Sequence, residues 1–507
     1  MTRLEISGRL LTRNTLLNFI SQAAYVLVGV ATIPFIIRGL GVERFGLLSI
    51  AWVAPEYFIC IDLGLGRATT KYVAEALGKG DKDHMPRLAW TAVTVQVVLG
   101  CLGTLVLVST TPFLTENILN VPPALEAEAR AMFHLLALSI PPILVSSSLT
   151  GILAAAQRFD LVNAVGASFN IVNSLLMLVG VLYFNWYLTE IVTMLVISRF
   201  SALIAYYWLC TRVFPSLKGL PGFHPAELRT LLAFGGWVTV SSVAVPVLLY
   251  LDRFIIGALL TMAAVAYYAI PYEIVTRLWI IPASLAASLF PAFSTLTGQG
   301  QRERLASLLA RSMKWVLLTL GPGVVLIAAF ARDILQLWLG SDFAQESTAA
   351  LQILALGILI NSMVQVQYAL VQALGRPDLT AKFHLAQLPL HALLVWWLVS
   401  LWGTTGAALA QSIRLAVEAL LLLVAACRLA ALPFYSLVSD KVLQSSLFLF
   451  LFVGTTIGIS HLPLVMWLRL IGLGIVLCAV GATVWRYSLD RQDRDQLVKL
   501  FWPASVR

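Results

Sequence analysis

Charge is what this sequence has least of. Asp, Glu, Lys and Arg make up 12% of its 507 residues, against 59% hydrophobic, and the mean hydropathy is +0.88. Soluble globular chains carry about 25% charged and about 45–50% apolar residues. A soluble domain of this size could not hide so much apolar surface, so for most of the chain the solvent is lipid. Acids are scarcer still than bases, 25 against 34, for a formal net charge of +9. In a soluble chain that balance would suggest nucleic acid. Here the cations sit in short segments between apolar runs, which speaks of membrane orientation and not of a nucleic-acid partner. Cysteine is also sparse: Cys60, Cys101, Cys210, Cys427 and Cys478 all fall in apolar stretches and none forms CxxC. That excludes a disulfide or zinc framework and leaves five small hydrophobes. There is no GxxxxGK[ST] for a nucleotide. No loop much exceeds about 20 residues, which leaves no room for an extramembrane catalytic domain.

What is present is a series of apolar runs. A membrane span takes about 20 mostly apolar residues. Fourteen runs qualify: 15–37, 46–66, 88–111, 130–154, 161–184, 190–210, 231–256, 264–290, 314–335, 348–373, 385–402, 404–427, 443–461 and 464–485. The first follows Arg3, Arg9 and Arg13. It is longer than a signal-peptide core and has no cleavage site, so it reads as a retained span. The eleventh and twelfth meet in a tight hairpin at Gly403–Gly406, and Gly64 and Gly66 read as the end of the second. The expected fold is therefore all-α and polytopic, with about 14 transmembrane helices.

Lys and Arg set the orientation. With the N-terminus inside, inner segments hold about 25 of the 34 cations, as the positive-inside rule requires. The inner groups include Arg67, Lys71, Lys79, Lys82 and Arg87, then Arg302, Arg304, Arg311 and Lys314, then the tail. The outer segments hold Arg38, Arg44, Arg130 and Arg332. Both termini are expected in the cytoplasm.

The chain repeats itself. LLALSIPPILVSSSLTGILAAAQRFDL at 135–161 aligns without a gap to ILALGILINSMVQVQYALVQALGRPDL at 353–379. Phe35-Ile36-Ile37 pairs with Phe254-Ile255-Ile256, and Gly78–Lys82 with Gly298–Arg302, at nearly the same offset. An offset spanning six helices is even, so the halves share one orientation in the membrane, the parallel-repeat plan. The expected domains are a six-helix lobe at 1–215, a second at 216–430 related to it by a pseudo-twofold along the membrane normal, and two added helices with a cytoplasmic tail at 431–507. In such transporters the substrate site lies near the midplane at the repeat interface.

Ionisable groups inside spans are costly, about 2.5–3.5 kcal/mol on insertion scales, and are the first functional candidates. Arg199 in span 6 and Arg414 in span 12 lie near the midplane at nearly equivalent places in the two repeats. Arg414 has Glu418 one turn away; Arg199 has no acid within a turn. Glu273 and Arg277 form an i,i+4 pair in span 8, where the guanidinium fork suits an oxyanion. Asp252 and Arg253, adjacent at the outer end of span 7, point apart and read as an outer gate or interfacial anchor. Glu56 is a lone midplane acid in span 2, protonated, paired, or coupled to an ion. Arg199, Arg277 and Arg414 are thus the substrate-binding candidates. Glu56, Asp252, Arg253, Glu273 and Glu418 are the coupling or gating candidates. His384 and His391 share a face of span 11, but a metal would need further ligands, so the pair reads as packing.

Asn14, Asn18 and Pro34-Phe35-Ile36-Ile37, then Leu40-Gly41-Val42-Glu43-Arg44-Phe45-Gly46 and Asp62-Leu63-Gly64-Leu65-Gly66-Arg67-Ala68, resemble the start of bacterial polysaccharide flippases. Trp237, Ser241, Ser242, Asp252-Arg253-Phe254-Ile255-Ile256-Gly257 and Tyr267-Tyr268 resemble their seventh and eighth spans. These motifs are degenerate and specific only in combination. The chain is similar, to about residue 430, to the lipid-linked oligosaccharide flippases of the multidrug/oligosaccharidyl-lipid/polysaccharide exporters. That resemblance implies fourteen helices and translocation of a polyprenyl-diphosphate-linked glycan across the bacterial inner membrane. The implied partners are that lipid, membrane lipids and polysaccharide polymerase or ligase machinery. No cofactor is expected beyond a coupling ion, H+ or Na+, or the membrane potential. The implied mechanism is alternating access, with intramembrane Arg holding the diphosphate. Two negative charges leaving an inside-negative cell gain about 4–5 kcal/mol per 100 mV.

The related drug exporters move cations, and a cation site wants an acid early in the lobe; span 1 has none. A peptidoglycan-precursor flippase shares the expected fold and phosphate recognition. An enzyme would need carboxylates and bases on a substantial outer loop. The longest, 112–129, offers Glu116, Glu126 and Glu128 without a basic or His partner of its own, so the chain is not expected to be an enzyme.

Overall fold

Helix is the structure that satisfies every backbone N–H and C=O within lipid, and the described chain is helical throughout, with no strand. The computed structural model describes residues 27–58, 62–81, 84–219 and 222–432, with short stretches between 451 and 486. Side chains at 54–56, 233–242 and 287–288 are outside that description, as are the first half of span 1, most of span 13 and the tail. Asn14, Asn18, Trp237, Ser241, Ser242 and the Glu56 side chain therefore lie outside the described residues. Among the described residues, seven helices are long and apolar enough to cross a membrane.

The helices are α1 (Leu27–Leu40), α2 (Val42–Phe58), α3 (Leu65–Lys79), α4 (His84–Phe113), α5 (Glu126–Leu138), α6 (Ile140–Ala155), α7 (Phe159–Phe184) and α8 (Leu188–Val213), then α9 (Pro225–Leu259), α10 (Met262–Thr276), α11 (Ile280–Gly298), α12 (Arg302–Ala329), α13 (Ala331–Leu339), α14 (Ser341–Ala373), α15 (Pro377–Ala430) and α16 (Met466–Thr483). The chain divides into two compact units, Met1–Ala269 and Ile270–Arg507, the division falling inside α10.

Several expected spans are broken. The chain breaks helix at the expected end of span 2, and a further helix follows it directly. Leu63 and Gly64 are left-handed (φ 51° and 71°), and helix resumes as α3 for 15 residues, packed on α4 and α6. The cations Arg67, Lys71 and Lys79 thus lie on a helix and not in a loop. Span 8 is α10, a 3₁₀ turn at Arg277–Trp279, and α11. Span 4 breaks between α5 and α6 at Ser139, before Pro141 and Pro142, which lack the N–H groups that would continue the ladder.

The expected hairpin at 403–406 is present. Trp402 and Gly403 leave helical geometry (φ 57° at Gly403), and a Cβ on Gly406 would stand 1.9 Å from the Leu398 carbonyl oxygen. Eight residues of straight helix would separate those positions by about 12 Å, so the chain reverses there and α15 is two antiparallel arms. α14 packs along this hairpin, and α11 and α12 pack on α14. In the first unit the core joins α3, α4, α6 and α8 through Leu65, Leu88, Leu153, Tyr206 and Cys210. α9 packs on α2, α3 and α4.

The segments aligned in the sequence end in like turns. After α6, the N–H of Gln157 bonds Ala154 O and that of Arg158 bonds Leu153 O. After α14, Gly375 bonds Gln372 O and Arg376 bonds Val371 O. The ends of α3 and α11 match likewise: Gly80 to Leu77 and Asp81 to Ala76, against Gly300 to Thr297 and Gln301 to Leu296.

Candidate substrate and coupling sites

Arg199 stands on α8 where the helix face changes character. Residues seven or eleven apart on a helix share a face. Leu188, Val192, Tyr206 and Cys210, at those spacings from Arg199, are buried, yet Arg199 itself is exposed. The buried face of α8 is therefore interrupted at Arg199. The same holds for α7. Asn170 is exposed on the face that carries buried Met177 and Val181. The two helices run antiparallel: Tyr206 OH donates to Val162 O at 3.3 Å, and a Cβ on Gly166 would lie 3.4 Å from that hydroxyl oxygen. On α7, the helix packed against α8, Asn173 Oδ1 is buried without a hydrogen-bond partner. The exposed Arg199 guanidinium and Asn170 amide are groups that bind phosphate oxygens and sugar hydroxyls. Intramembrane charge points to Arg199 but passes over the Asn residues. Their signal in the sequence is the spacing of Asn163, Asn170 and Asn173 along one side of α7.

Arg277 begins the 3₁₀ turn that interrupts span 8 and donates from Nη2 to Glu273 Oε2 at 2.9 Å, both side chains well exposed. The i,i+4 pair read from sequence is therefore made. It sits at a helix break, the kind of place where transporters form ion and substrate sites.

Arg414 is in a different situation. Its Nη1 donates to Glu418 Oε2 at 3.0 Å and its Nε to Gln411 Oε1 at 3.1 Å, all buried. His384, from the other arm of α15, lies 3.1 Å from Glu418 Oε1 through Nε2. The near-equivalence of Arg199 and Arg414 does not extend to their surroundings. Counted from the matched turns at Arg158 and Arg376, Arg414 aligns with Val196 and Arg199 with Val417. One guanidinium is exposed and the other is buried inside a packed hairpin.

Asp252 and Arg253 point apart, as adjacent helix residues must. Asp252 accepts from Tyr268 OH, while Arg253 Nη1 donates to Ser49 O at 3.2 Å and stacks near Tyr250. Both are buried, which is not the setting of an anchor lying at a wet headgroup interface. They secure α9 against α2 and α10.

The acids of the 112–129 loop do have basic partners, contrary to the expectation from that loop alone, because these come from outside it. Arg44 binds Glu128 at 2.8 Å, and Arg130 binds Glu116 and Glu126. Glu128 also accepts from the Leu188 N–H at 2.8 Å, and Arg44 lies over Tyr187. These carboxylates fasten α2, α5 and α8 together. Asp62 is a further buried carboxylate, outside the candidates read from sequence, that accepts from Gln96 Nε2 and from the Gly66 N–H at 3.1 Å. Among the described residues no group of three His, Cys, Asp or Glu could hold a metal ion.

Comparison with known proteins agrees with this architecture. The family described as polysaccharide biosynthesis protein matches residues 11–297, and the MatE family matches 238–397. A Shigella flexneri protein named as an O-antigen transporter is 27% identical over 411 residues, covering 81% of this chain and 96% of that one. The solved structure of the lipid II flippase MurJ, in an inward closed conformation, matches with a TM-score of 0.71 at 14% identity over 94% of this chain and 99% of that one. An inward-facing multidrug resistance MATE family transporter of the MOP superfamily matches with a TM-score of 0.72 at 17% identity, over 81% and 95%. The fold is thus that of polytopic membrane transporters, and the chain belongs to the polysaccharide biosynthesis protein family.

Proposed function

We propose that this protein is a flippase that carries a polyprenyl-diphosphate-linked oligosaccharide from the cytoplasmic to the outer leaflet of a bacterial inner membrane. It works by alternating access, for polysaccharide biosynthesis, with both termini in the cytoplasm. The observation that carries this reading is Arg199, exposed on the otherwise packed face of α8, the helix that packs beside α7. An exposed guanidinium at mid-span favours an anionic head group, and the Asn amides suit a glycan. Arg277, at the break in span 8, is a second candidate for the diphosphate. The O-antigen transporter name of the Shigella flexneri relative and the family description support the same substrate class. The lobes at 1–215 and 216–430, followed by two added helices, remain the working domain plan. Glu56 keeps its place as a coupling candidate. Polymerase or ligase machinery on the outer side would consume the product.

The nearest rival substrate is the peptidoglycan precursor, because the MurJ fold match extends over nearly the whole chain. A drug or cation antiporter of the same fold is disfavoured by α1, which carries no acid. Mass spectrometry of membrane lipids from a strain lacking the protein separates the three. Accumulation of one polyprenyl-diphosphate oligosaccharide supports the proposal. Accumulation of the peptidoglycan precursor transfers the protein to the other branch. An unchanged lipid profile with new drug sensitivity makes it a drug exporter.

A further inference from the structure

The hairpin of α15 buries more polar chemistry than its packing needs. His384, Arg414 and Glu418 have side chains exposed by only 9%, 5% and 10%, and Glu418 bridges the other two through its two oxygens. Gln387 and His391, one and two turns along from His384, share its face and are buried as well. A network built only for structure satisfies its members, because an unpaired polar atom in a dry interior is costly. Here His384 Nδ1, both amide atoms of Gln387, Gln411 Nε2 and Arg414 Nη2 are buried without hydrogen-bond partners.

We propose that His384 and Glu418 form a proton-binding site, loaded at His384. The charge balance argues for a proton and against a metal cation. Arg414 already neutralises Glu418, and both carboxylate oxygens are occupied by N–H donors. Imidazole is the side chain that changes charge between about pH 5 and 8. With His384 neutral the triad carries no net charge; with His384 protonated it carries one positive charge, held against Glu418. The proton arrives at an imidazole nitrogen and leaves from it, and no bond between heavy atoms changes. The groups that face His384 are Glu418 and Arg414 on the returning arm and His391 on its own arm. α14, the helix packed along this hairpin, carries Tyr368 in its nearer half and Asp342 and Glu346 at its far end. The Gln387 amide and Gln411 Nε2 offer places for water to relay the proton, since buried waters gather at unsatisfied polar groups. This deepens the flippase reading and rests on it for what the proton drives.

The test separates the site from its use. His384 ring 15N resonances would be recorded in the full-length protein in lipid nanodiscs from pH 5 to 9, and assigned by their loss in His384→Gln, or in His384→Asn if that variant folds poorly. A ring that titrates inside this range in the wild type supports the site; a ring whose shifts stay constant throughout overturns it. Glycan-lipid flipping in proteoliposomes would then be measured with and without an imposed pH gradient. Gradient stimulation of several-fold in the wild type that is lost in His384→Gln, with gradient-independent flipping retained, supports coupling. Equal stimulation in both overturns it. Absence of any flipping in the wild type, with titration intact, tells against the flippase reading and leaves the proton site standing.

Discussion

Arg158 grips Asp160 through two N–H···O bonds of 2.9 and 3.0 Å, and Arg376 grips Asp378 in the same way at 2.9 and 3.2 Å. Each lock follows a turn with a left-handed residue, Gln157 at φ 59° and Gly375 at φ 76°. The two turns share one backbone pattern and one ion pair at the offset read from the sequence.

The second of these locks depends on pH. Hydrogen bonds from Arg376, and then from Lys382, hold the Asp378 carboxyl well below the usual carboxylate range. A carboxylate with a depressed folded pKa contributes stability above its unfolded value of about 3.9, and that contribution is lost as pH falls through the folded value. Arg376→Ala should lower the melting temperature slightly at pH 7, since exposed pairs contribute little. The gap from wild type should narrow on acidification below about pH 4. Thermal unfolding at several pH values checks this; a gap that widens toward acid contradicts it.

The α15 hairpin depends on Gly406. A Cβ there would collide with the Leu398 backbone, so Gly406→Ala should cost about 1–3 kcal/mol by overpacking. Gly323, mid-helix in α12, is the control, because a Cβ added there would meet nothing within 4 Å. Gly323→Ala should be neutral or stabilising by up to about 1 kcal/mol. Melting curves in detergent discriminate the two.

Removing the Tyr268 hydroxyl should leave buried Asp252 short of a donor. Tyr268→Phe should destabilise by about 1–3 kcal/mol, with the loss seen in thermal unfolding. A melting temperature equal to wild type would mean that Asp252 is fully supported by other groups.

Arg199→Ala should lower glycan-lipid export at least tenfold, equivalent to about 1.4 kcal/mol, at an unchanged protein level, with Arg199→Lys intermediate. Lipid-linked intermediate accumulated in cells gives the readout. Export that persists in Arg199→Ala removes Arg199 from the substrate site and leaves Arg277 as the leading candidate.

Helical, membrane-spanning character is legible in the sequence because it has a local signature. Apolar runs of about 20 residues are demanded by the thickness of the bilayer. The helix breaks are less legible. Arg277–Trp279 and Leu63–Gly64 interrupt stretches whose hydropathy is continuous, and hydropathy does not record backbone geometry. The i,i+4 pairs Glu273–Arg277 and Arg414–Glu418 are readable because both members lie on one helix. His384 reads as packing in the sequence because its partner, Glu418, is 34 positions away on the other arm of the hairpin.

That this chain spans a membrane and carries ionisable residues within its apolar runs follows from the order of its residues, since composition and period are properties of the chain alone. Which cation is exposed and which is enclosed is settled by packing in three dimensions. Arg199 and Arg414 both interrupt apolar runs in the sequence, and their difference rests on what packs beside them. Burial and pairing belong to neighbours brought together from distant positions, and the local pattern around either arginine carries no trace of them.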